Sequence, residues 1–527
     1  MGIAQVAVMG WAALLCLAWA IAFPRTPDMA AQVYRVGLFR HLGLAVWDEH
    51  WYAGHDLPGY SLLFGPLGAL LGIRVVGVLA VLASTALFER LVRPVYGDGA
   101  RWGAALFAVA AVGDVWAGRV TFALGVALAL GSVLALQRRR TAWAVVLGVA
   151  CAAASPVAGA LLGLTGLIWT LARRSPRPLV ALAVPAAVLV LALAWLFPEG
   201  GYEPYPILSF AATVGVVALC LLALPARERT LRIGGAVYLL ACLACLVIHS
   251  PVGSNVERYG VLLAGPLLAC AALGVREEGR PRSVGAFVVA SVALCTGMVW
   301  VVWGPVRETL AVAGSDATSA SYYEPVERFL ASRPGPVRVE VPLTRSHWEA
   351  ALLAPSVSLA RGWEKQLDSR YDGVLLAKGL NADSYERWLH EQAVAYVALP
   401  DVALDPSSAR EGRLIRGGLP YLREVFTSAH WRIYEVLSPT PLVSGAGRLT
   451  ALGHDSFVLR VPARGSYVVR VRYTRYWTVT GGAGCVSEAP GGWTRVSASG
   501  PATVSVAARF SFARVFSSAS VCRRSTA

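Results

Sequence analysis

Most of this 527-residue chain is too apolar to do chemistry, so its usable side chains form a small charged minority. Asp28 follows an apolar run that ends at Phe23, and Thr26-Pro27-Asp28 before Met29-Ala30-Ala31 fits a helix N-terminus with Asp28 as its cap. Next come Asp48, Glu49, His50, His55 and Asp56. Carboxylates mixed with imidazoles can hold ligand hydroxyls or a divalent cation, manganese more readily than calcium. No ligand spacing such as H-E-x-x-H is present, and a solvated loop rimmed by aromatics explains the same residues. Arg258, beside Asn255 and Glu257, lies in a stretch otherwise free of basic residues. It is either a phosphate ligand or a cation that pairs locally at a membrane edge. Arg119 with Asp114 reads as a structural salt bridge or as a similar ligand contact. Glu199, Tyr202, Glu203 and Tyr205 have the acid-and-aromatic chemistry of a binding rim, or of a solvated loop.

These residues must be held by elements that the composition already describes. Hydrophobic residues make up 56% of the chain and charged ones 15%, against about 25% charged in an ordinary soluble domain. A small soluble enzyme is excluded. Up to about residue 306 the chain is a series of apolar stretches of roughly 17–25 residues, the length that crosses about 30 Å of hydrocarbon. We therefore read a membrane domain over 1–306 and a water-soluble one over 307–527. The first stretch, residues 2–23, lacks a basic leader and reads as an uncleaved span. Further spans are expected near 73–92, 101–117, 120–136, 141–155, 157–172, 178–197, 206–224, 231–249, 258–275 and 283–303. The pair within 141–172 is short and broken at Ser155-Pro156, which suits two short or re-entrant helices.

One alternate set of loops carries Arg90, Arg93 and Arg101, then Arg138–Arg140, Arg173, Arg174 and Arg177, then Arg227, Arg229 and Arg232, then Arg276, Arg280 and Arg282. The other set carries almost no basic residue. By the positive-inside rule the first set is cytoplasmic. Eleven spans with a cytoplasmic N-terminus then place the C-terminal region outside, in a multi-pass plasma-membrane protein. The net charge of +15 is partly this topology signal, and only two basic residues are lysines, so nothing argues for nucleic acid.

The loop after the first span, residues 24–72, is far longer than the others. Residues 29–45 read as a helix with Val33, Val36, Leu38, Leu42 and Leu44 on an apolar side and Arg35, Arg40 and His41 elsewhere, suited to lie in the membrane interface. Trp47, Trp51, Tyr52 and Tyr60 are the aromatics expected at headgroup level. Residues 59–72 are apolar but too short to span.

In the soluble part, 307–440 alternates helix and strand patterns and reads as α/β, while 441–527 turns to strands separated by Gly, Pro and Ser and reads as a β-sandwich. Seven cysteines lie in apolar spans and read as packing residues. Cys485 and Cys522, the two in the exported part, are a disulfide candidate. His347, Trp363, Glu364, Lys365 and Asp368 form a polar-aromatic cluster that reads as a solvated surface.

The first loop carries a resemblance. Asp28 just past the first span, a juxtamembrane helix, a short apolar segment with Gly65-Pro66-Leu67, then the segments GRVTFALGVALAL (118–130) and SNVERYGVLLAGPLL (254–268) resemble the GT-C superfamily of membrane glycosyltransferases. Within it, the chain resembles the actinobacterial "6-pyruvoyl-tetrahydropterin synthase-related" membrane family. The resemblance implies a GT-C-like helical domain and sugar transfer from a polyprenyl-phosphate donor to a cell-envelope glycan, lipid or protein acceptor outside the cytoplasm. Asp28 would be the general base, Arg258 would bind phosphate, and Asn255, Asp48, Glu49, His55 and Arg119 would contact substrate. It also implies that the outer domain is carbohydrate-binding, with Trp477 and Trp493 as stacking platforms. The chain lacks an acidic pair at Asp28, so dependence on a divalent cation stays open. The competing reading is a non-catalytic envelope protein or lipid/glycan transporter whose outer domain binds glycan or partner proteins.

Overall fold

The computed structural model describes residues 3–273, 284–516 and 522; the predicted loop of Arg276, Arg280 and Arg282 lies outside the described residues. The chain divides into two compact units. The first comprises 1–36, 59–195 and 200–313; the second comprises 37–58, 196–199 and 314–527.

The first unit is helical. Its elements are α1 (Ile3–Ala22), α2 (Pro27–Leu42, which continues into the second unit), α3 (Phe64–Leu71), α4 (Ile73–Tyr96), α5 (Ala100–Trp116), α6 (Val120–Gln137) and α7 (Thr141–Ala154). Then come α8 (Pro156–Arg173), α9 (Val184–Leu196, preceded by a wide π-type turn), α10 (Ile207–Ala223), α11 (Arg229–Val247), α12 (Glu257–Leu273) and α13 (Val284–Val312). Each stretch expected to span carries a helix. Among the described residues, eight segments are long and apolar enough to cross a bilayer, and one of these, Ile73–Trp116, contains both α4 and α5. Helices α7 and α10 are shorter. The chain is a multi-pass membrane protein by these helices.

Local chemistry sets the helix ends. Ser155 breaks α7 from α8 and caps the latter, its Oγ accepting from Ala158 N at 3.3 Å, with Pro156 at the first helical position. The carbonyl of Ala153 at the same turn accepts from Leu62 N at 2.8 Å, so α3 starts docked there. With eight residues, α3 is about 12 Å long and cannot span, as expected of residues 59–72. Helix α5 is central and packs against α1, α4, α12 and α13. Its approach to α12 is possible because residue 103 is glycine: a Cβ there would overlap the Cys270 side chain. Small residues at helix contacts are the usual means of close packing in a membrane.

The second unit is sheet-rich. A five-stranded mixed sheet has the order β4-β3-β5-β7-β6, from β3 (Arg338–Glu340), β4 (Ser358–Leu359), β5 (Val394–Pro400), β6 (Leu422–Thr427) and β7 (Trp431–Val436). Strands β4, β3 and β5 are parallel, and β7 and β6 are antiparallel. Beyond it two antiparallel sheets face each other. One is β10 (Gly465–Arg472), β13 (Trp493–Ala498) and β12 (Gly484–Ala489); the other is β11 (Trp477–Gly481), β14 (Ala502–Ala508), β9 (Ser456–Val461) and β8 (Arg448–Leu452). Alternating residues from both sheets, among them Phe457, Leu459, Val469, Val471, Val496 and Val504, form one core. Cys485 and Cys522 are joined by a disulfide.

Trp477 belongs to that core and Trp493 is buried beside Ala53 and Ala489, which removes both from the stacking role expected of them. Trp477 fills an inward position of its strand, whereas Trp493 lies on the face of β13 opposite Val496 and is covered there by Ala53 and Val468.

The first loop is the largest departure from expectation. Residues 47–56 form a small hairpin, β1 (Trp47–Asp48) against β2 (His55–Asp56), buried inside the second unit and neither solvated nor rimmed by exposed aromatics. Trp47 enters the sandwich core edge-on to Trp477 at 5.7 Å. Trp51 Nε1 donates to Ala350 O at 3.0 Å, and the Tyr52 hydroxyl donates to Glu364 O at 3.1 Å. Glu49 Oε1 meets Arg338 Nη2 at 2.6 Å, with the two side chains 1% and 0% exposed. Asp48 accepts from His454 Nδ1 at 2.9 Å. The polar side of α2 is likewise buried at Gln32 and Arg35, whereas Leu44 is exposed.

Removing one partner of a buried ion pair strands the other, at a cost of about 3–5 kcal/mol. Glu49→Gln and Arg338→Met should each lower the Tm of the detergent-solubilised full chain. The double variant should recover part of the loss, read by thermal melting as a double-mutant cycle.

Candidate active site

In the first unit, three helix ends meet around Arg119. Residues 117–119 link α5 to α6, and Gly118 turns with φ of 89° against the start of α2, where a Cβ would overlap the backbone N of Met29. Thr26 Oγ1 donates to Trp116 O at 3.2 Å, and Trp116 Nε1 donates to Thr309 Oγ1 on α13 at 2.9 Å. With its backbone so placed, Arg119 reaches Asp28 Oδ2 at 3.1 Å, Asp114 Oδ1 at 3.8 Å and Glu308 Oε1 at 3.4 Å.

Asp28 is not the cap of α2. Pro27 takes the first helical position, which its fixed φ and missing N–H suit, and Asp28 sits in the first turn where the helix dipole favours a carboxylate. Its side chain is 31% exposed. Counting along α2, Asp28, Gln32 and Arg35 recur at four and seven residues, so they share a face. Gln32 Nε2 donates to the Tyr60 hydroxyl at 2.7 Å, Thr121 Oγ1 donates to Gln32 Oε1, and the Arg35 guanidinium lies 3.6 Å over the Tyr60 ring.

Arg258, in the first turn of α12, lies 5.0 Å over the Phe122 ring. Asp28, Asp114, Arg119 and Tyr60 are all within its electrostatic reach. Among the described residues, Arg258 has no carboxylate at ion-pair distance, whereas Arg119 has three. Asn255 occupies the Gly253–Val256 turn just before it, half-buried. That turn is held by Ser254 Oγ donating to Glu203 Oε1 at 3.0 Å. Tyr202 packs edge-on to His249 at 4.5 Å, so part of the expected acid-and-aromatic rim is engaged in loop packing.

The structure thus brings Asp28, Arg119 and Arg258 together. Asp48, Glu49 and His55 lie in the second unit, where the first two are committed to the pairs described above and His55 Nδ1 faces Asp48 O at 3.1 Å. Sequence reasoning missed Gln32, Tyr60, Thr121 and Glu308. The spacing of polar residues along α2 was the available clue to Gln32. Among the described residues, no three His, Cys, Asp or Glu side chains converge to hold a metal ion.

The second unit holds a polar cluster and a cavity. Of the cluster expected to be solvated, His347, Glu364 and Asp368 are buried, Trp363 is half-buried and Lys365 alone is exposed; Arg361 is ringed by Asp368 at 3.6 Å, Glu411 at 3.4 Å, Glu340 at 3.9 Å and Asp372 at 4.0 Å. His347 stacks on Trp363 and approaches Asp405 at 3.3 Å. A guanidinium hidden from sequence reading gathers these acids, and burial pushes the Asp372 carboxyl up to about 8. The cavity, of about 220 Å³, is lined by Trp47, His55, Asp56, Glu199, Arg370, Tyr371, Tyr473, Arg475, Tyr476 and Glu488, among others. Asp56 is 7% exposed, and its Oδ1 has no hydrogen-bond partner among the described residues. Burial raises its pKa to about 7, against the opposing pull of Arg475 and Arg370.

No protein-family model matches the chain, and no curated protein matches it significantly. Among solved structures it is similar to ArnT from Cupriavidus metallidurans bound to undecaprenyl phosphate, at 14% identity and a TM-score of 0.41, over 84% of this chain and 99% of that chain. The apo state of ArnT gives 13% identity and a TM-score of 0.42, over 82% and 98%.

An acid whose folded pKa is raised keeps its proton longer when folded, so its contribution to stability falls as pH climbs from its ordinary value and levels off above the folded one. For Asp56 that window runs from 3.8 to about 7. Asp56→Asn should therefore melt close to wild type at pH 4 and above it at pH 8, in thermal scans of the full chain.

Proposed function

We propose that the chain is a GT-C-type glycosyltransferase that moves a sugar from a polyprenyl-phosphate donor to a cell-envelope acceptor at the outer face of the plasma membrane. In this reading the N-terminus is cytoplasmic, and the α/β region (307–440) and β-sandwich (441–527) are extracytoplasmic. The actinobacterial membrane family named above is the narrower membership proposed.

One observation carries the reading. Asp28 and Arg258, chosen for opposite chemical tasks, share one electrostatic cluster at helix ends, and Arg258 is the cation there with no ion-paired carboxylate among the described residues. Asp28 would take the proton of the acceptor hydroxyl as its oxygen attacks the anomeric carbon. The bond from that carbon to the phosphate oxygen would break, and the released polyprenyl phosphate would carry its new charge against Arg258. Arg119, neutralised by three carboxylates, would orient Asp28 and keep it ionised instead of binding phosphate itself. Asn255 would offer an amide beside the phosphate. Asp48 and Glu49 would hold the first loop in the second unit and would not touch substrate.

The charged groups of this cluster sit at helix ends and not along a path between them, which favours a surface site over transport. The test is transfer from synthetic decaprenyl- or undecaprenyl-phospho-sugars in membranes. Loss of a general base costs about 10²–10⁴-fold, so Asp28→Asn should fall by that amount. Arg258→Gln should lose about 10²–10³-fold. Equal transfer by wild type and Asp28→Asn would sink the base assignment. Absence of transfer from every donor, with a folded protein, would favour the binding-protein reading.

A further inference from the structure

After the last strand the chain changes character. Residues 509–516 read Arg-Phe-Ser-Phe-Ala-Arg-Val-Phe, with three phenylalanines, two arginines and no acid. Strand β14 ends at Ala508, and Phe512–Phe516 forms a short helix. Phe510 is 41% exposed, Phe512 67% and Phe516 75%, whereas Val515 is buried. Single exposed apolar side chains are ordinary in a folded protein, but here Phe510 and Phe512 touch, with ring centroids 4.9 Å apart, and Phe516 follows on the next turn. The segment is also held in place. Arg514 Nη1 donates to the carbonyls of Trp477 and Arg475, Arg475 Nη1 donates to Val515 O at 3.5 Å, and Arg509 N donates to Tyr476 O at 2.9 Å. Beyond it, Cys522 is bonded to Cys485 on β12. The rings are thus presented by a fixed backbone.

Phe197 identifies what covers them. It belongs to the second unit with Leu196, and its ring lies 5.9 Å from Phe510 and 5.4 Å from Tyr476. The Tyr476 hydroxyl donates to Leu196 O at 2.8 Å. Leu196 is the last residue of Leu179–Leu196, one of the segments long and apolar enough to cross a bilayer. A span ends where hydrocarbon gives way to headgroups, and Trp195, exposed one residue earlier, is the residue type that gathers at that level. The exposed phenylalanines therefore start from a ring packed on the residue that follows a span. Charge points the same way. From Ala489 to Ala527 the chain has five arginines and no acidic residue. Aromatic rings interleaved with arginines suit a layer of lipid phosphates above acyl chains. A second copy of the patch would set arginine against arginine.

We propose that Phe510, Phe512 and Phe516 form an interfacial anchor. They insert into the phospholipid headgroup layer of the leaflet at which α9 ends, while Arg509 and Arg514 face the phosphates of anionic phospholipids. The anchor fastens this edge of the sheet-rich unit to the membrane surface. It stands whether or not the first unit transfers sugar, and for either orientation of the chain across the membrane.

The experiment uses the full chain in liposomes of equimolar phosphatidylcholine and phosphatidylglycerol. Photoreactive p-benzoylphenylalanine replaces Phe512 or Phe516, or, as a solvated reference, Arg423 on β6, whose side chain is 65% exposed. The first two replacements enlarge rings that are already exposed, so those variants should melt like the wild type, and each is read separately. After illumination, mass spectrometry of the protein counts lipid adducts. Positions 512 and 516 should each carry about fivefold more phospholipid than position 423, or better. Phosphatidylglycerol should exceed phosphatidylcholine among those adducts, and Arg509→Glu should bring the two toward equality. Adding Asp28→Asn should leave the labelling unchanged while transfer is lost, which separates this proposal from the catalytic one. The anchor is overturned if positions 512 and 516 label no more than 423, if their adducts are mainly to a second protein chain, or if phosphatidylcholine is taken as often as phosphatidylglycerol.

Discussion

The site of the first unit depends on one guanidinium. Arg119 answers carboxylates from α2, α5 and α13, three elements remote in sequence. No one of these pairs is strong, because Arg119 and Asp28 are each about a third exposed. Their value is geometric: the pairs act on a backbone already held by the Gly118 turn and by the Thr26–Trp116–Thr309 relay. Among the described residues Arg119 is thereby engaged three times, whereas Arg258 has no carboxylate at ion-pair distance.

The second unit shows the same distinction more sharply. Glu49 Oε1 with Arg338, Asp48 with His454, and Arg472 donating to the Tyr52 carbonyl at 2.8 Å hold a hairpin whose residues Tyr52 and Ala53 both have positive φ. That backbone is strained for side-chain-bearing residues, and it persists because the surrounding bonds over-determine it. Asp56 Oδ1, on the same hairpin, is buried without a hydrogen-bond partner among the described residues, as is Glu49 Oε2.

Much of this was legible from the residues. Long apolar runs must become helices in a bilayer, where backbone groups have no water to bind, so the spans could be read by length. The alternation read over 307–440 became helices such as Ala320–Ala331 and Ala382–Glu391 and strands such as β5 and β7, and the strand run read over 441–527 became β8 to β14. Two-residue β4 was not legible, since pairing with β3 alone defines it. Asp28 and Arg258 were singled out one by one; the turn and the α2 face that bring them within electrostatic reach of each other were not read. The buried hairpin and the Arg361 cluster were misread as solvated because a charged loop is usually wet. What overrode that expectation was a set of partners far away in the chain, such as Arg338, 289 positions from Glu49.

That separation constrains how the protein is made and how it could have arisen. Residues 37–58 leave the ribosome long before β3, β4 and the sandwich that enclose them. Until then Trp47, Trp51 and Glu49 wait without their native neighbours, so closure of the second unit is a late, non-local event. The C-terminal region is for the same reason not a portable module. A gene fusion carrying 314–527 alone would transplant a sheet lacking its central peg, with Arg338 interred opposite an empty place. Any inheritance of that domain has to move both pieces of the chain together.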